Sequence, residues 1–401
     1  MAEKKIINLA KKRNAKTAKK MLKILRIPLV VLVVAAALFL SMRLVGDVAV
    51  SNITDGVRQI KTVFTKSDGY PYPLDTLNFR NVVSMGGGPI VVYDDSTLVM
   101  NPSADEVFTM PLGYADSKAV TRHGRALIYS PSSNEVILQS KTEKLGSITE
   151  ETPVTVAALS DNGGFATSHS ANENQSVLSV YNNRFKKIFQ WNCSQEFITD
   201  ISLSDNGKKV AVTATGVENA EIYTRVIVFD VNKAEPIADM KYSGTMFLRV
   251  VYTESDKIIA VGDNKTVVHN KKGEVIDELV YSEDSLISVC ADDRGNTAVC
   301  YKEFGGSKTG IARFSSSGKK TCSIVVDGMP DCMAAYSGRI AVASGNNITV
   351  YSSNGKESKT IETESPVAGI FISSGTVYTV EGGSIYKYYR GSINGKSFSC
   401  S

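Results

Sequence analysis

One turn recurs along this chain at a nearly constant interval, and no other feature restricts the fold so strongly. Between paired apolar runs come Ser84-Met85-Gly86-Gly87, Thr121-Arg122-His123-Gly124, Ser160-Asp161-Asn162-Gly163 and Ser204-Asp205-Asn206-Gly207. The series continues with Thr253-Glu254-Ser255-Asp256, Asp292-Asp293-Arg294-Gly295, Tyr336-Ser337-Gly338 and Ser373-Ser374-Gly375. Their last residues are spaced by 37, 39, 44, 49, 39, 43 and 37 positions. Runs rich in Val, Ile, Tyr and Thr flank each turn, the pattern of short antiparallel strands. A mean period of about 41 residues is that of a four-stranded propeller blade. Eight turns therefore predict an all-β, eight-bladed β-propeller, with seven blades as the alternative.

A second series runs in phase with the first. A strand ending in an aromatic or related residue precedes another turn at Val180-Tyr181, Val228-Phe229, Val268-His269, Arg313-Phe314, Val350-Tyr351 and Lys387-Tyr388. These fit the end of each blade's third strand, before the outer hairpin. The last blade needs an outer strand, since an open edge invites aggregation. Residues 396–400 or residues 57–64 are the two candidates for it. A pair of β-sandwiches is the rival architecture, but it does not demand so regular a spacing.

These repeats resemble those of bacterial propellers of the quinoprotein-like and WD40-like superfamily. The layout resembles a group of uncharacterised, membrane-anchored propeller proteins of Gram-positive bacteria. Ser204-Asp205-Asn206-Gly207 with Lys208-Lys209-Val210-Ala211-Val212, the segment 69–74 and a single N-terminal anchor carry the resemblance. It implies a fold and an address, and brings no chemistry with it.

The charge is partitioned. Residues 1–26 hold ten Lys and Arg against Glu3 alone, a net +9, whereas the rest hold 35 basic and 40 acidic residues, a net −5. The +4 total is thus a tail beside an uncharged run, Ile27 to Met42. Such a run with flanking basic charge signals a membrane segment with its basic side in the cytoplasm, rather than a nucleic-acid surface. Sixteen helical residues span only about 24 Å, and a helix over 22–45 reaches about 36 Å, enough for the hydrocarbon core. The expected organisation is a basic tail (1–21), a transmembrane signal anchor (22–45), a connector (46–75) and the propeller (76–401) outside the plasma membrane. A cleaved signal peptide is the rival, given Ala35-Ala36-Ala37, but the apolar run continues beyond those alanines.

Motifs of catalysis are missing. The three histidines (123, 169, 269) show no metal-ligand spacing, and no C-x-x-C occurs among Cys193, Cys290, Cys300, Cys322, Cys332 and Cys400. Cys290 and Cys300 flank one hairpin turn, which makes them the candidate disulfide, with buried free thiols as the alternative. His269 stands where sister blades carry Tyr181, Phe229 and Tyr351, so it is expected to pack. The G-x-S-x-G elbow is absent. Gly305-Gly306-Ser307-Lys308-Thr309 lacks the order of a phosphate loop, and Gly86-Gly87-Gly88 fits a tight turn needing positive φ. A single tryptophan, Trp191, argues against a quinone cofactor. No cofactor and no metal are expected.

Surface remains. In a propeller, the loops from strand two to strand three share a face with the blade-to-blade connections. Residues 169–176, 215–223 and 302–309 are the longest of these loops, and Trp191 is expected on the connection between blades 3 and 4. His169, Glu173, Trp191, Glu218, Asn219 and Phe304 therefore form the candidate binding face. An extracytoplasmic scaffold binding an envelope protein or polymer is the expected function. An envelope hydrolase or lyase with acidic residues converging at the channel is the alternative, because propeller sites can be assembled from several blades.

Overall fold

The computed structural model describes residues 69–388, apart from 172, 304, 306 and 307. Within them lie eight four-stranded antiparallel sheets. Blades 1 to 7 span 79–111, 118–149, 154–193, 197–243, 247–280, 286–327 and 332–362, each formed by four consecutive strands. Blade 8 takes three strands from 367–388, and its fourth from the other end of the chain. The first strands of neighbouring blades pack together around the channel, and blade 8 packs on blade 1. The described residues form no helix.

All eight recurrent turns join strand one to strand two. Their chemistry explains their recurrence. Gly163, Gly207 and Gly295 have φ of 82°, 64° and 83°, which favours glycine. The Asn162 side chain accepts from Gly164 N at 2.9 Å and donates to Asn206 O in the next blade's turn at 2.6 Å. Asp292 accepts from Arg294 N at 3.1 Å and from Gly338 N, one blade on, at 2.8 Å. These side chains mimic backbone within a turn and also tie blade to blade.

Burial follows strand position. The second strands are almost wholly buried, as in Arg125–Ser130 and Lys257–Gly262, because blades cover both of their faces. The fourth strands alternate, as in Val275–Val280. Eight apolar clusters fill the interfaces, each drawn from two adjacent blades. His269 is fully buried in blade 5, where packing was expected.

Closure differs from both sequence-based candidates. Tyr72–Pro73 is the strand paired with Ser384–Tyr388, with Tyr72 opposite Ile385 and Pro73 opposite Ser384. Leu74 N extends the pairing to Gly383 O at 2.9 Å. A two-residue strand containing proline has no alternation to read, which hid it within the expected connector; proline tolerates an edge position. Residues 57–64 and 396–400, and the expected anchor at 22–45, lie outside the described residues.

The glycine triplet divides into two roles. Gly86 and Gly87 have φ of 60° and 116°, as expected, but Gly88 does not. A Cβ on Gly88 would lie 2.1 Å from Met100 O, so close backbone approach excludes any side chain there. Gly88→Ala should cost about 3 kcal/mol by overpacking. Urea unfolding of the full-length protein measures this, and a midpoint equal to wild type would refute the close approach.

Candidate functional site

A side chain spans the channel at the turn face. Arg122 of blade 2 reaches across to blade 6, donating from Nη1 to Asp293 O, with Asp293 Oδ1 at 3.5 Å. Its Nε faces Asp161 Oδ1 at 3.5 Å, and His123 Nδ1 lies 3.2 Å from the same oxygen. Blades 2 and 6 stand opposite each other in a ring of eight, so this arginine bridges the mouth. A cavity of about 200 Å³ beside it is lined by Arg122, Tyr129, Asp200, Ser202, Arg249 and Asp293, among others. Asp200 is buried, and its burial pushes the carboxyl above its ordinary range against the opposing Arg249 charge. It accepts from Val250 N at 2.8 Å and faces Arg249 Nη1 at 3.5 Å. Ser202 Oγ accepts from Tyr252 N at 2.9 Å, so side chains of blade 4 satisfy backbone of blade 5. No group of three His, Cys, Asp or Glu suited to a metal ion occurs among the described residues.

The opposite, connection face is built differently. Sequence spacing suggested a loop at 215–223; instead Lys209–Glu218 and Glu221–Asp230 pair to the end, with Glu218 opposite Glu221. Asn219 and Ala220 turn the ribbon with φ of 51° and 63°, the pair of positive values of a type I′ hairpin. Alanine in place of the usual glycine concealed that turn. The ribbon outruns the first strand, whose pairing starts with Phe197 opposite Thr215.

Register sorts the ribbon's two sides. Phe197 lies opposite Thr215, Thr215 opposite Thr224, and Val217 opposite Ile222, which puts all five on one side. Thr224 Oγ1 donates to Thr245 O at 3.0 Å and accepts from Phe247 N at 3.3 Å, so this side faces blade 5. Leu248 follows Phe247 on the first strand of blade 5. Phe197, Val217, Ile222 and Leu248 are 58, 69, 47 and 44% exposed. Phe197, Val217 and Ile222 make an apolar ledge over the boundary of blades 4 and 5, and Leu248 stands at the bulge in the first strand of blade 5.

Beneath the other side, Glu196 is buried and accepts from Cys193 Sγ at 2.9 Å, Tyr223 OH at 3.0 Å and Arg225 Nη1 at 3.1 Å. Burial acts to raise its carboxyl, but these three hydrogen bonds outweigh it and hold the group below its ordinary value.

The candidate face divides in the same way. Glu218 and Asn219 are exposed at the ribbon tip, and Glu173 is exposed between strands two and three of blade 3. His169 is buried, its Nδ1 2.9 Å from Ser170 O and its Nε2 3.4 Å from Glu150 Oε2. Trp191 lies within the strand Lys187–Cys193 rather than on a connection, its ring 5.1 Å from Phe229 in the wall between blades 3 and 4. Phe304 lies outside the described residues. The ledge was not read from sequence, although the 49-residue interval between Gly207 and Asp256, the longest of the series, marks the blade that carries it.

A family model described as a family of unknown function, DUF5711, matches residues 72–388. The chain belongs to this family. The match begins at Tyr72 of the closing strand and ends at Tyr388, so the family's shared unit coincides with the closed propeller. A comparison with curated proteins finds no match.

Solved structures share the fold of this DUF5711 member. The C-terminal WD40 domain of Sif2 aligns with a TM-score of 0.58 at 10% identity, over 82% of this chain and 100% of that one. Sqt1 of Saccharomyces cerevisiae gives 0.57 at 8%, over 81% and 99%. BamB of Moraxella catarrhalis gives 0.50 at 10%, over 80% and 99%. The expected likeness to WD40-like propellers therefore holds at the level of fold.

Among the described residues of this chain, Cys193, Cys290, Cys300, Cys322 and Cys332 are free thiols. Register sets Cys290 opposite Ala298 and Cys300 opposite Ser288, so the two are diagonal neighbours rather than a direct pair. Burial pushes both thiols up to about 12, which removes thiolate character at neutral pH.

Proposed function

We infer that the chain is a non-enzymatic binding scaffold of the cell envelope, held by its N-terminal segment at the outer face of the plasma membrane. One observation carries the binding role. Among the described residues, seven of the eleven exposed large apolar side chains (Leu77, Phe197, Val217, Ile222, Leu248, Val280 and Met329) lie at the connection-face ends of strands or in the segments joining them. The other four, Ile188, Val275, Ile276 and Val325, belong to outer strands. Clustering of exposed apolar surface marks interaction sites, whereas scattered single residues do not.

The channel supports the same reading over an envelope hydrolase or lyase. Its buried carboxylate, Asp200, is already committed to Val250 N and Arg249, and Asp161 and Asp293 face Arg122. The +9 tail and the uncharged run 27–42 support the address. Protease added to intact cells should remove the chain beyond about residue 46 if this topology holds, and complete protection would overturn it. Cross-linking in intact envelopes, read by mass spectrometry, should enrich a partner attached to the connection face. Enrichment no greater than for an unrelated anchored domain would remove the scaffold role.

A further inference from the structure

The ledge on blades 4 and 5 combines exposed apolar area with connectors that are mostly acidic. On the connection face of blades 3 to 5, the described segments 173, 194–196, 216–222, 244–246, 263–264 and 281–285 contain Glu173, Glu218, Glu221, Asp263, Glu283 and Asp284 besides the buried Glu196. They contain no Lys, Arg or His, and of the basic residues beside them Arg249 pairs with Asp200 at 3.5 Å and Lys265 with Glu278 at 3.4 Å. Lys241, on the outer strand of blade 4, offsets Glu218 at 2.7 Å. Asp263 accepts from Met246 N at 3.0 Å. Glu221, Glu283 and Asp284 are exposed.

The ribbon tip is costly in the free protein. Glu218 and Glu221 stand directly opposite each other, an arrangement that destabilises a strand pair. Ala220 holds a left-handed conformation, which burdens any residue with a Cβ. Val217 and Ile222 lie exposed on the other side of the same two strands. An occupant that brings apolar side chains and positive charge together would relieve two of these departures, the exposed Val217 and Ile222 and the opposed glutamates. Local conflicts of this kind gather at functional sites.

We propose that the ledge docks a cationic amphipathic polypeptide segment of a partner protein. Its apolar side chains cover Phe197, Val217 and Ile222, and its Lys or Arg side chains meet the acidic connectors and reach over the ribbon tip to Glu218 and Glu221 on the ribbon's other side. The ribbon supplies the wall of the seat and blade 5 its floor. This rests on the scaffold reading and names its partner's chemistry.

The probe is a fluorescent 18-residue amphipathic helix of Lys and Leu, with a scrambled peptide of identical composition and a Glu/Leu helix as comparisons. Full-length protein should bind the Lys/Leu helix at least tenfold more tightly than either comparison, and binding should weaken with salt. Phe197→Ser with Ile222→Ser, and separately Glu218→Lys with Glu221→Lys, should each weaken it at least tenfold. Glu274→Lys, at an exposed hairpin on the other face, should leave it unchanged. These positions are exposed, so circular dichroism should show the same fold in every variant.

Equal binding of the helix and its scramble, or indifference to the ledge variants, overturns the proposal. Sedimentation separates another occupant: self-association of the wild-type chain that the ledge variants abolish would assign the ledge to a second copy and overturn a cationic partner. The envelope cross-linking described above distinguishes the two levels. A partner that still cross-links in the ledge variants leaves the scaffold standing and removes this seat, whereas loss of all enrichment in wild type removes the scaffold itself.

Discussion

Replacing Glu196 by alanine is expected to destabilise the propeller by about 3–5 kcal/mol, among the largest effects of any single side chain outside the apolar clusters. The carboxylate accepts three hydrogen bonds where it is buried, from Cys193, Tyr223 and Arg225. Truncation leaves two neutral donors without an acceptor, at roughly 1–3 kcal/mol each. Arg225 suffers less, because it also pairs with Asp239 through both Nε and Nη2. The residue joins the connector after blade 3 to the third strand of blade 4, so its loss loosens the base of the ribbon. Glu196→Gln keeps one acceptor oxygen and should cost about half as much. Urea unfolding of full-length variants reads the difference, and an unchanged midpoint for Glu196→Ala would show that the donors find other partners.

The propeller was legible because its determinants are local and repeated. Ser204-Asp205-Asn206-Gly207 encodes a turn through Asn and Gly whatever surrounds it, and eight such signals in phase suffice to count blades. His269 was legible for the same reason, since its sister positions declare its environment. The closing strand was not, because Tyr72–Pro73 is defined only by its pairing with Ile385 and Ser384 at the far end of the chain. The candidate face was legible only in part. Glu173, Glu218 and Asn219 do stand at the surface, but His169 and Trp191 turn inward. Strand phase decides which way a side chain points, and a one-residue change of register reverses it. Phe197, Val217, Ile222 and Leu248 look like ordinary core residues in sequence. Val217 and Ile222 reach the surface only because the blade 4 hairpin outruns its shorter first strand.

Acid should weaken the joint between blades 4 and 5 through one buried imidazole. His269 is fully buried in blade 5, and its Nε2 lies 2.6 Å from Tyr242 OH on the outer strand of blade 4. The rings meet edge to face at 5.8 Å. Burial pushes the imidazole down to about 4, from an ordinary value of about 6.5. The unfolded chain therefore takes up a proton near pH 6.5 while the folded chain resists until near pH 4. Stability is complete above the higher value and falls between the two as pH drops, because the unfolded state binds more protons there. The full drop is about 3 kcal/mol. His269→Phe places at this position the side chain that Phe229 and Phe314 supply in blades 4 and 6. It should cost about 1 kcal/mol at pH 7.5 for the lost hydrogen bond, since Tyr242 is half-buried and can turn to water. Its stability should then fall about 3 kcal/mol less than wild type on going from pH 7.5 to 4. Carboxylates titrate equally in both proteins, so the difference between the two urea profiles isolates the histidine. Parallel profiles would show that His269 binds its proton alike in the folded and unfolded chains, and that burial sets no penalty on its charge.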